Sequence, residues 1–228
     1  MSTIADNIEL VGSRIRAAAL AANRDEHSVH LLAVSKTKPA QALREAYAAG
    51  LRDFGENYLQ EALGKQLELA DLPLIWHFIG PIQSNKTRAI AEHFAWVHSV
   101  DRLKIAQRLS EQRPADLPPL NICIQVNVSG EASKSGCTPA DLPALANAIS
   151  ALPRLKLRGL MAIPEPTEDR AAQDAAFAAV QSLQASLNLP LDTLSMGMSH
   201  DLESAIAQGA TWVRIGTALF GARDYGQP

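Results

Sequence analysis

The sequence predicts an α/β fold, a single-domain (β/α)8 TIM barrel with an extra N-terminal helix. Three observations carry this expectation. Eight short apolar runs alternate with longer helix-patterned stretches over 228 residues, the pattern of parallel strands joined by crossover helices. A count of eight favours a closed barrel over an open doubly wound sheet. The first strand-to-helix turn reads SKTKP, where a dinucleotide-binding open sheet would carry GxGxxG.

The elements follow in order. Residues 4–23 place Ile4, Ile8, Leu10, Val11 and Ile15 at helical spacing before an Ala-rich run, which makes the helix outside the eight-fold pattern. HLLAVS (30–35) is the first strand, and a helix at about 39–49 starts from Lys38-Pro39, proline being at home in a first helical turn. RDFGE (52–56) leads to a helix at 57–70, and IWHFIG (75–80) to one at 84–93 that begins at Ser84. AWVHSV (95–100) precedes a helix at 102–112 that starts from Asp101. NICIQVNVS (121–129) precedes one at 139–151 that starts from Thr138-Pro139. KLRGLMAI (156–163) leads through Thr167 to a helix at 168–187, and TLSMGM (193–198) through Ser199 to one at 201–209. TWVRIG (211–216) is the last strand, with a short C-terminal segment after 217. Ser, Thr and Asp at such starts accept hydrogen bonds from the free N–H groups of a first helical turn. No linker, charge block or repeat divides the chain, so one domain spanning 1–228 is expected.

Composition narrows the function classes. Lys and Arg number 21 against 24 Asp and Glu, a net charge of −3, so no basic footprint for nucleic acid or an anionic membrane surface is present. Hydrophobic residues at 47% and charged residues at 20% are too apolar a balance for disorder. Cys123 and Cys137 are too few for a disulfide scaffold and lack neighbours at metal-ligand spacing, so no metal site is expected. The amphipathic start MSTIADNIELVGSRIR has no signal-peptide core, and no apolar stretch reaches transmembrane length. A cytoplasmic protein without nucleic-acid or membrane partners is the expectation.

In a barrel, chemistry gathers where the strands end. The residues there are Lys36, Glu56, Asn57, Gly80, Ser99, Asn127, Met161, Ser199, Arg214, Gly216 and Thr217. Lys36 directly follows LLAVS. A lysine partly desolvated at the mouth becomes a nucleophile toward carbonyls, whereas one that snorkels into water does not. Lys38, before Pro39, reads as a solvated loop residue. The loops after strands seven and eight are the usual phosphate site of this fold, and here they hold Ser199 as a helix cap and Gly216-Thr217 for close backbone approach. By strand alternation Arg214 shares a face with Trp212 and Gly216, and a buried Arg needs either an ion-pair partner or a ligand. Glu56 and Asn57 supply a carboxylate and an amide near the mouth or simply start a helix, and Asn127 and Met161 read equally well as barrel filling. A strand-one lysine, a strand seven–eight phosphate cradle and an Arg together describe an aldehyde that carries a phosphate. Pyridoxal 5′-phosphate (PLP) fits, and a sugar-phosphate aldolase with a lysine nucleophile fits less well.

AVSKTKP (33–39), FGENYLQEALGK (54–65), WHFIGPIQSNKTR (76–88), VHSVDR (97–102), SKSGC (133–137), LRGLMAIP (157–164), LSMGMSHDLESAI (194–206) and VRIGTALFGAR (213–223) resemble the pyridoxal phosphate homeostasis protein family. The match runs from about residue 5 to 226. The resemblance implies a PLP-binding barrel similar to the N-terminal domain of alanine racemase. In it Lys36 is the Schiff-base lysine, Ser199, Gly216 and Thr217 hold the phosphate, Arg214 meets the ring nitrogen and Asn57 approaches the cofactor. An Arg at the ring nitrogen leaves the ring a weaker electron sink than a carboxylate would. Alanine racemase adds a β-rich domain whose tyrosine is the second acid/base. This chain ends soon after strand eight, and Tyr225 is a poor substitute. His200 stands where the family commonly has an acidic residue, beside Asp201.

The resemblance thus implies a carrier that holds PLP as a lysine Schiff base in intracellular PLP (vitamin B6) homeostasis, not an enzyme. No catalytic residue is assigned. Its partners would be PLP and apo PLP-dependent enzymes, and its state a monomer. The alternative is a small PLP-dependent racemase, lyase or decarboxylase acting on amino acids. Such an enzyme needs a second proton carrier. His77, His98 and His200 are the candidates, the first two reading also as barrel packing and the third as a first-turn helix residue. A third reading is an interaction protein that uses Lys134, in SGEASKSG, for a second PLP or a partner, although Lys134 also reads as a solvated loop lysine.

Overall fold

The structure, a computed structural model, describes residues 2–130 and 135–222. Lys134 and Tyr225 lie outside the described residues. Eight parallel strands close into a barrel in chain order: β1 (His30–Val34), β2 (Asp53–Glu56), β3 (Ile75–Phe78), β4 (Trp96–Val100), β5 (Leu120–Gln125), β6 (Leu155–Met161), β7 (Thr193–Ser195) and β8 (Trp212–Ile215). β8 closes onto β1 with Leu31 opposite Val213 and Leu32 opposite Arg214. Among the described residues nine helices surround it: α1 (Ile4–Ala21), α2 (Ala40–Ala48), α3 (Leu59–Glu68), α4 (Thr87–His93), α5 (Leu103–Gln112), α6 (Leu142–Ser150), α7 (Arg170–Ser186), α8 (Leu202–Ala207) and α9 (Thr217–Phe220). The (β/α)8 barrel with its added N-terminal helix is therefore the architecture the alternating sequence pattern predicts. Among the described residues no helix is long and apolar enough to cross a membrane.

Alternation along each strand separates two apolar clusters. Ala33, Phe54, Val97, Ile122, Leu160 and Val213 belong to the large core between strands and helices. Leu32, Ile79, Trp96, Cys123, Met161 and Trp212 form a second cluster inside the barrel. Trp96 and Trp212, each first in its strand, fill the N-terminal end with ring centroids 5.7 Å apart. His77 stacks on Trp96 at 5.5 Å, and the Arg158 guanidinium covers the same indole at 4.6 Å. His77 and His98 are thus barrel filling, fully buried, although both also carry hydrogen bonds described below.

α1 starts at a capping box in which Thr3 and Asp6 satisfy each other's backbone N–H groups. It buries Val11, Ile15 and Ala19 against α2, α8 and α9. Across that contact Arg14 grips Glu203 through two bonds of 2.9 and 3.0 Å, and Asn7 donates to the Leu219 carbonyl at 2.9 Å.

Boundaries and caps depart from expectation in several places. β5 stops at Gln125 because the chain then meets the returning segment at the Val126–Cys137 bridge. β7 stops at Ser195 because Gly197 takes φ +98°, a left-handed conformation in which a Cβ would sit 2.5 Å from the Ala205 Cβ. That turn uses extra residues before α8, so Ser199 is not its cap; Asp201 is, with its carboxylate accepting from the Met198 N–H at 2.6 Å. Likewise Asp169, not Thr167, caps α7, Arg102 rather than Asp101 precedes α5, and Ser84 opens a 3-10 turn ahead of α4. Thr138 accepts from the Asp141 N–H, in the turn before α6, and Pro39 precedes α2 without a side-chain bond. The common cause is a short preliminary turn, which places the capping residue one or two positions later than the first Ser, Thr or Asp.

Two stability outcomes follow. A Cβ on Gly159 would fall 1.7 Å from the Thr193 carbonyl oxygen, whereas one on Gly64, exposed in α3, meets nothing within 4 Å. Gly159→Ala should therefore cost about 2 kcal/mol or more, a Tm drop of roughly 4–8 °C. Gly64→Ala should instead raise stability by about 0.5–1 kcal/mol, and thermal melts of both variants check the pair. The second outcome concerns pH. Burial holds His77 and His98 below the usual imidazole range. Below about pH 6.5 the unfolded chain binds protons that these native imidazoles refuse, so stability falls on acidification. Glu56, pushed up by burial, binds its proton earlier in the native state and opposes this with one group against two. Urea titrations should show a net loss of about 1–2 kcal/mol between about pH 7.5 and about pH 5.5; unchanged stability would contradict the neutral pair.

Candidate functional site

The mouth at the C-terminal ends of the strands holds a cleft of about 310 Å³. Lys36, Asn57, Ser199, Arg214, Gly216 and Thr217 all line it, together with Val34, Ile79, Ile163, Met198 and His200. Six residues spread over 182 positions of chain therefore meet around one volume, as the strand-end reading anticipates. Other strand-end candidates do not line it. Met161 is buried in the barrel interior, Ser99 donates to the Gly80 carbonyl at 2.5 Å, and the Asn127 side-chain Oδ1 accepts from the Gly130 N–H at 3.1 Å in its own loop.

Lys36 is half-buried, and the peptide on each side of it is tied to one buried cluster. The Lys65 ammonium, reaching in from α3, donates to the Ser35 carbonyl at 2.7 Å, to Glu56 at 2.7 Å and to Glu61 at 2.6 Å. Glu61 in turn accepts from the Thr37 N–H at 2.6 Å, and Glu56 accepts from the Ser35 hydroxyl at 2.6 Å. Thr37 is held at φ +62°, a costly conformation for a β-branched residue that persists only where its surroundings over-determine it. Burial pushes the Glu56 carboxyl up, and the adjacent Lys65 charge counters it. Glu56 is therefore neither a mouth carboxylate nor a helix-start acid: it anchors the loop that carries Lys36. Sequence reasoning missed Lys65, although its place four residues after Glu61 on one helix face was a usable signal.

The opposite wall comes from the loops after β7 and β8. The Gly197 turn brings Met198 and Ser199 over the barrel, and Arg14 of α1 donates to the Ser199 carbonyl at 3.1 Å. Gly216 sits against β1, where a Cβ would stand 3.2 Å from the Val34 carbonyl oxygen. From it α9 begins with N–H groups that have no acceptor within the helix. Lys38 is not a solvated loop residue: its ammonium donates to the Phe220 and Ala222 carbonyls at 3.0 and 2.7 Å, tying the Lys36 loop to the end of α9.

Arg214 forms the floor, 4% exposed. Its guanidinium donates to the Ser195 hydroxyl at 2.8 Å and to the Ala162 carbonyl at 3.0 Å, and burial lowers it to about 10. It thus remains charged at neutral pH. Asn57 Oδ1 and Thr37 Oγ1 are buried beside the cleft without a hydrogen-bond partner among the described residues. The arrangement offers an amine at one end, hydroxyls and backbone N–H groups at the other, and a fixed cation between them. Chemically, that suits an anion bearing a carbonyl group.

The comparisons agree with this geometry. Residues 8–224 match the family model for the alanine racemase N-terminal domain. The chain is 80% identical over 228 residues to the pyridoxal phosphate homeostasis protein of Pseudomonas aeruginosa, covering 100% of this chain and 99% of that one. It is 55% identical over 231 residues to the protein of the same name from Escherichia coli, covering 99% of each. Among solved structures, PipY of Synechococcus elongatus with PLP bound superposes with a TM-score of 0.81 at 46% identity, over 90% of this chain and 98% of that one. With a family model over nearly its whole length and relatives at this identity, the chain belongs to the pyridoxal phosphate homeostasis protein family, on the alanine racemase N-terminal barrel.

Proposed function

We propose that this chain, as one domain over 1–228, binds PLP at the barrel mouth. It would serve intracellular PLP (vitamin B6) homeostasis as a carrier rather than as a catalyst. The observation that carries the proposal is the convergence of Lys36, Arg214 and the Ser199–Gly216–Thr217 wall on one cleft. The donor set fits the group: an amine for its aldehyde, a guanidinium for its ring nitrogen, and hydroxyl and backbone donors for its phosphate. The PLP-bound structure of PipY supports the same reading. When bound, PLP supplies an aldehyde that condenses reversibly with a primary amine, with loss of water.

The chain's own residues do the rest. Lys36 provides the attacking Nζ, and the Lys65–Glu61–Glu56 cluster holds the peptides beside it so that the amine enters from a fixed direction. Ser199 and the first N–H groups of α9 would hold the phosphate, with α1 bracing both loops. Arg214 is the donor that would meet the ring nitrogen of PLP and so would keep it unprotonated, weakening the ring's pull on electrons. That favours holding the cofactor over turning over amino acids. Every group named comes from one chain, so a cytoplasmic monomer suffices, and apo PLP-dependent enzymes are the inferred recipients. One observation favours a racemase, lyase or decarboxylase instead: His200, exposed, lines the cleft where such an enzyme needs a second acid/base.

Purified protein with PLP should show a visible absorption band, and borohydride should fix the label on Lys36. Lys36→Ala should lose the band, and a wild type that takes up no PLP would refute the binding. Exchange of amino-acid α-protons with deuterated solvent should match that of free PLP. Catalytic exchange that falls in His200→Ala would establish the enzymatic reading. Arg14→Ala should raise the Kd for PLP about three- to tenfold, roughly 0.7–1.4 kcal/mol, while leaving the covalent label on Lys36.

A further inference from the structure

A chain of hydrogen bonds runs through the barrel interior from the floor of the cleft to the opposite end. Arg214 on β8 donates to the Ser195 hydroxyl on β7 at 2.8 Å. Ser195 Oγ lies 2.7 Å from His98 Nδ1 on β4, and His98 Nε2 lies 2.9 Å from His77 Nδ1 on β3. His77 Nε2 lies 2.8 Å from Asp53 at the start of β2. Ser195, His98 and His77 are fully buried, while the Asp53 side chain is 26% exposed. Four bonds on five strands thus connect the cleft with solvent at the far face.

The chemistry of the two ends sets the direction of every bond between them. A guanidinium only donates, so Ser195 accepts from it; a carboxylate only accepts, so His77 donates from Nε2. A neutral His77 then accepts at Nδ1 from His98 Nε2–H. His98 is left to accept at Nδ1 from the Ser195 hydroxyl, whose proton has no other acceptor among the described residues. The opposite order fails: a cationic His77 would force His98 to donate to Ser195, which already receives from Arg214, and the hydroxyl proton would be stranded. Ser195 is the joint, because it alone of the four must donate and accept at one atom.

We infer that Asp53, His77, His98 and Ser195 act as positioning residues, a polarised relay that holds the Arg214 guanidinium against the ring nitrogen of the bound cofactor. The inference rests on PLP binding at the cleft. The relay orients the guanidinium plane through Ser195 and links it by hydrogen bonds to Asp53, while Asp201 at the mouth, whose charge also acts on Arg214, takes none of the guanidinium's hydrogen bonds among the described residues. A carboxylate next to Arg214 would compete for the N–H groups that face the ligand. Placing it at the far end leaves those groups to the ring nitrogen while the intervening bonds polarise one another.

Two arms test this. In the protein without cofactor, nitrogen-15 NMR should find both His77 and His98 neutral and protonated at Nε2. A proton on Nδ1 of either, or a charged imidazole, would overturn the relay whatever the cleft binds. In the loaded protein, Ser195→Ala should raise the Kd for PLP about tenfold and shift the visible band. Asp53→Asn, which keeps an acceptor for His77 but removes the charge, should do the same to a smaller extent, and Asp53→Glu should restore both readouts. The combined S195A/D53N variant should be no worse than S195A alone, because the second change acts through a joint already broken. Additive losses, or a band unmoved by either single change, would reduce the relay to packing and overturn the inference. A wild type that takes up no PLP would overturn the ligand arm together with the proposed function, while the tautomers still decide whether the relay is polarised.

Discussion

The pairing of β8 with β1 is the contact on which the site depends. Its ladder runs from His30 opposite Trp212 to Ala33 opposite Ile215, and it joins the two ends of the eight-strand series. Lys36 leaves β1 two residues beyond Val34, and Gly216-Thr217 leave β8 directly after Ile215, so closing the ladder puts the amine beside the anion wall. An open sheet with the same strands would hold them on opposite edges. The contact is reinforced from outside. Lys38 ties the β1 loop to the end of α9, and α1 holds α9 through Asn7 and the β7 loop through Arg14. The helix outside the eight-fold pattern therefore acts as a brace for the wall of the cleft.

Closure also creates an interior from which water is excluded, and polar groups placed there must satisfy one another. Two solutions coexist. Beneath the Lys36 loop, opposite charges meet directly, with Lys65 among Glu56, Glu61 and a backbone carbonyl. Such a buried pair is weak evidence for stability, since desolvation offsets much of the attraction. Its evident consequence is geometric, a left-handed Thr37 and a lysine loop with one shape. Beneath Arg214 the charges stay apart and a line of hydroxyl and imidazole groups spans the gap. The difference follows position: the first cluster orients a backbone, whereas the second must leave a cation able to face a ligand.

Much of this was legible in the sequence. The run HLLAVS followed by Lys, the SMGMSHD turn and the VRIGT ending name the strands and the cleft residues by position alone, because strand ends are where a parallel barrel exposes side chains. The misreadings share one cause. Ser199 looked like a cap, Lys38 like a solvated loop residue and Glu56 like a helix-start acid, each judged by its immediate neighbours. In the fold each is answered by a residue remote in the chain or by a turn of positive φ. Lys65 was passed over for the same reason, since a Lys on an amphipathic helix is ordinarily solvated and only the fold brings it to Glu56 and the Ser35 carbonyl.

What the sequence by itself determined is the order and kind of the elements, the apolar alternation that sorts each strand into an inner and an outer face, and the chemistry available at each strand end. These are local properties, written in spacing and residue type. Only the tertiary structure decided which side chains meet: that Lys65 clamps the loop of Lys36, that α1 supports Ser199, and that Arg214, Ser195, His98, His77 and Asp53 line up across five strands. Those contacts depend on the register and stagger of strands brought together by barrel closure, and pairwise distances of that kind leave no periodic trace along a single chain.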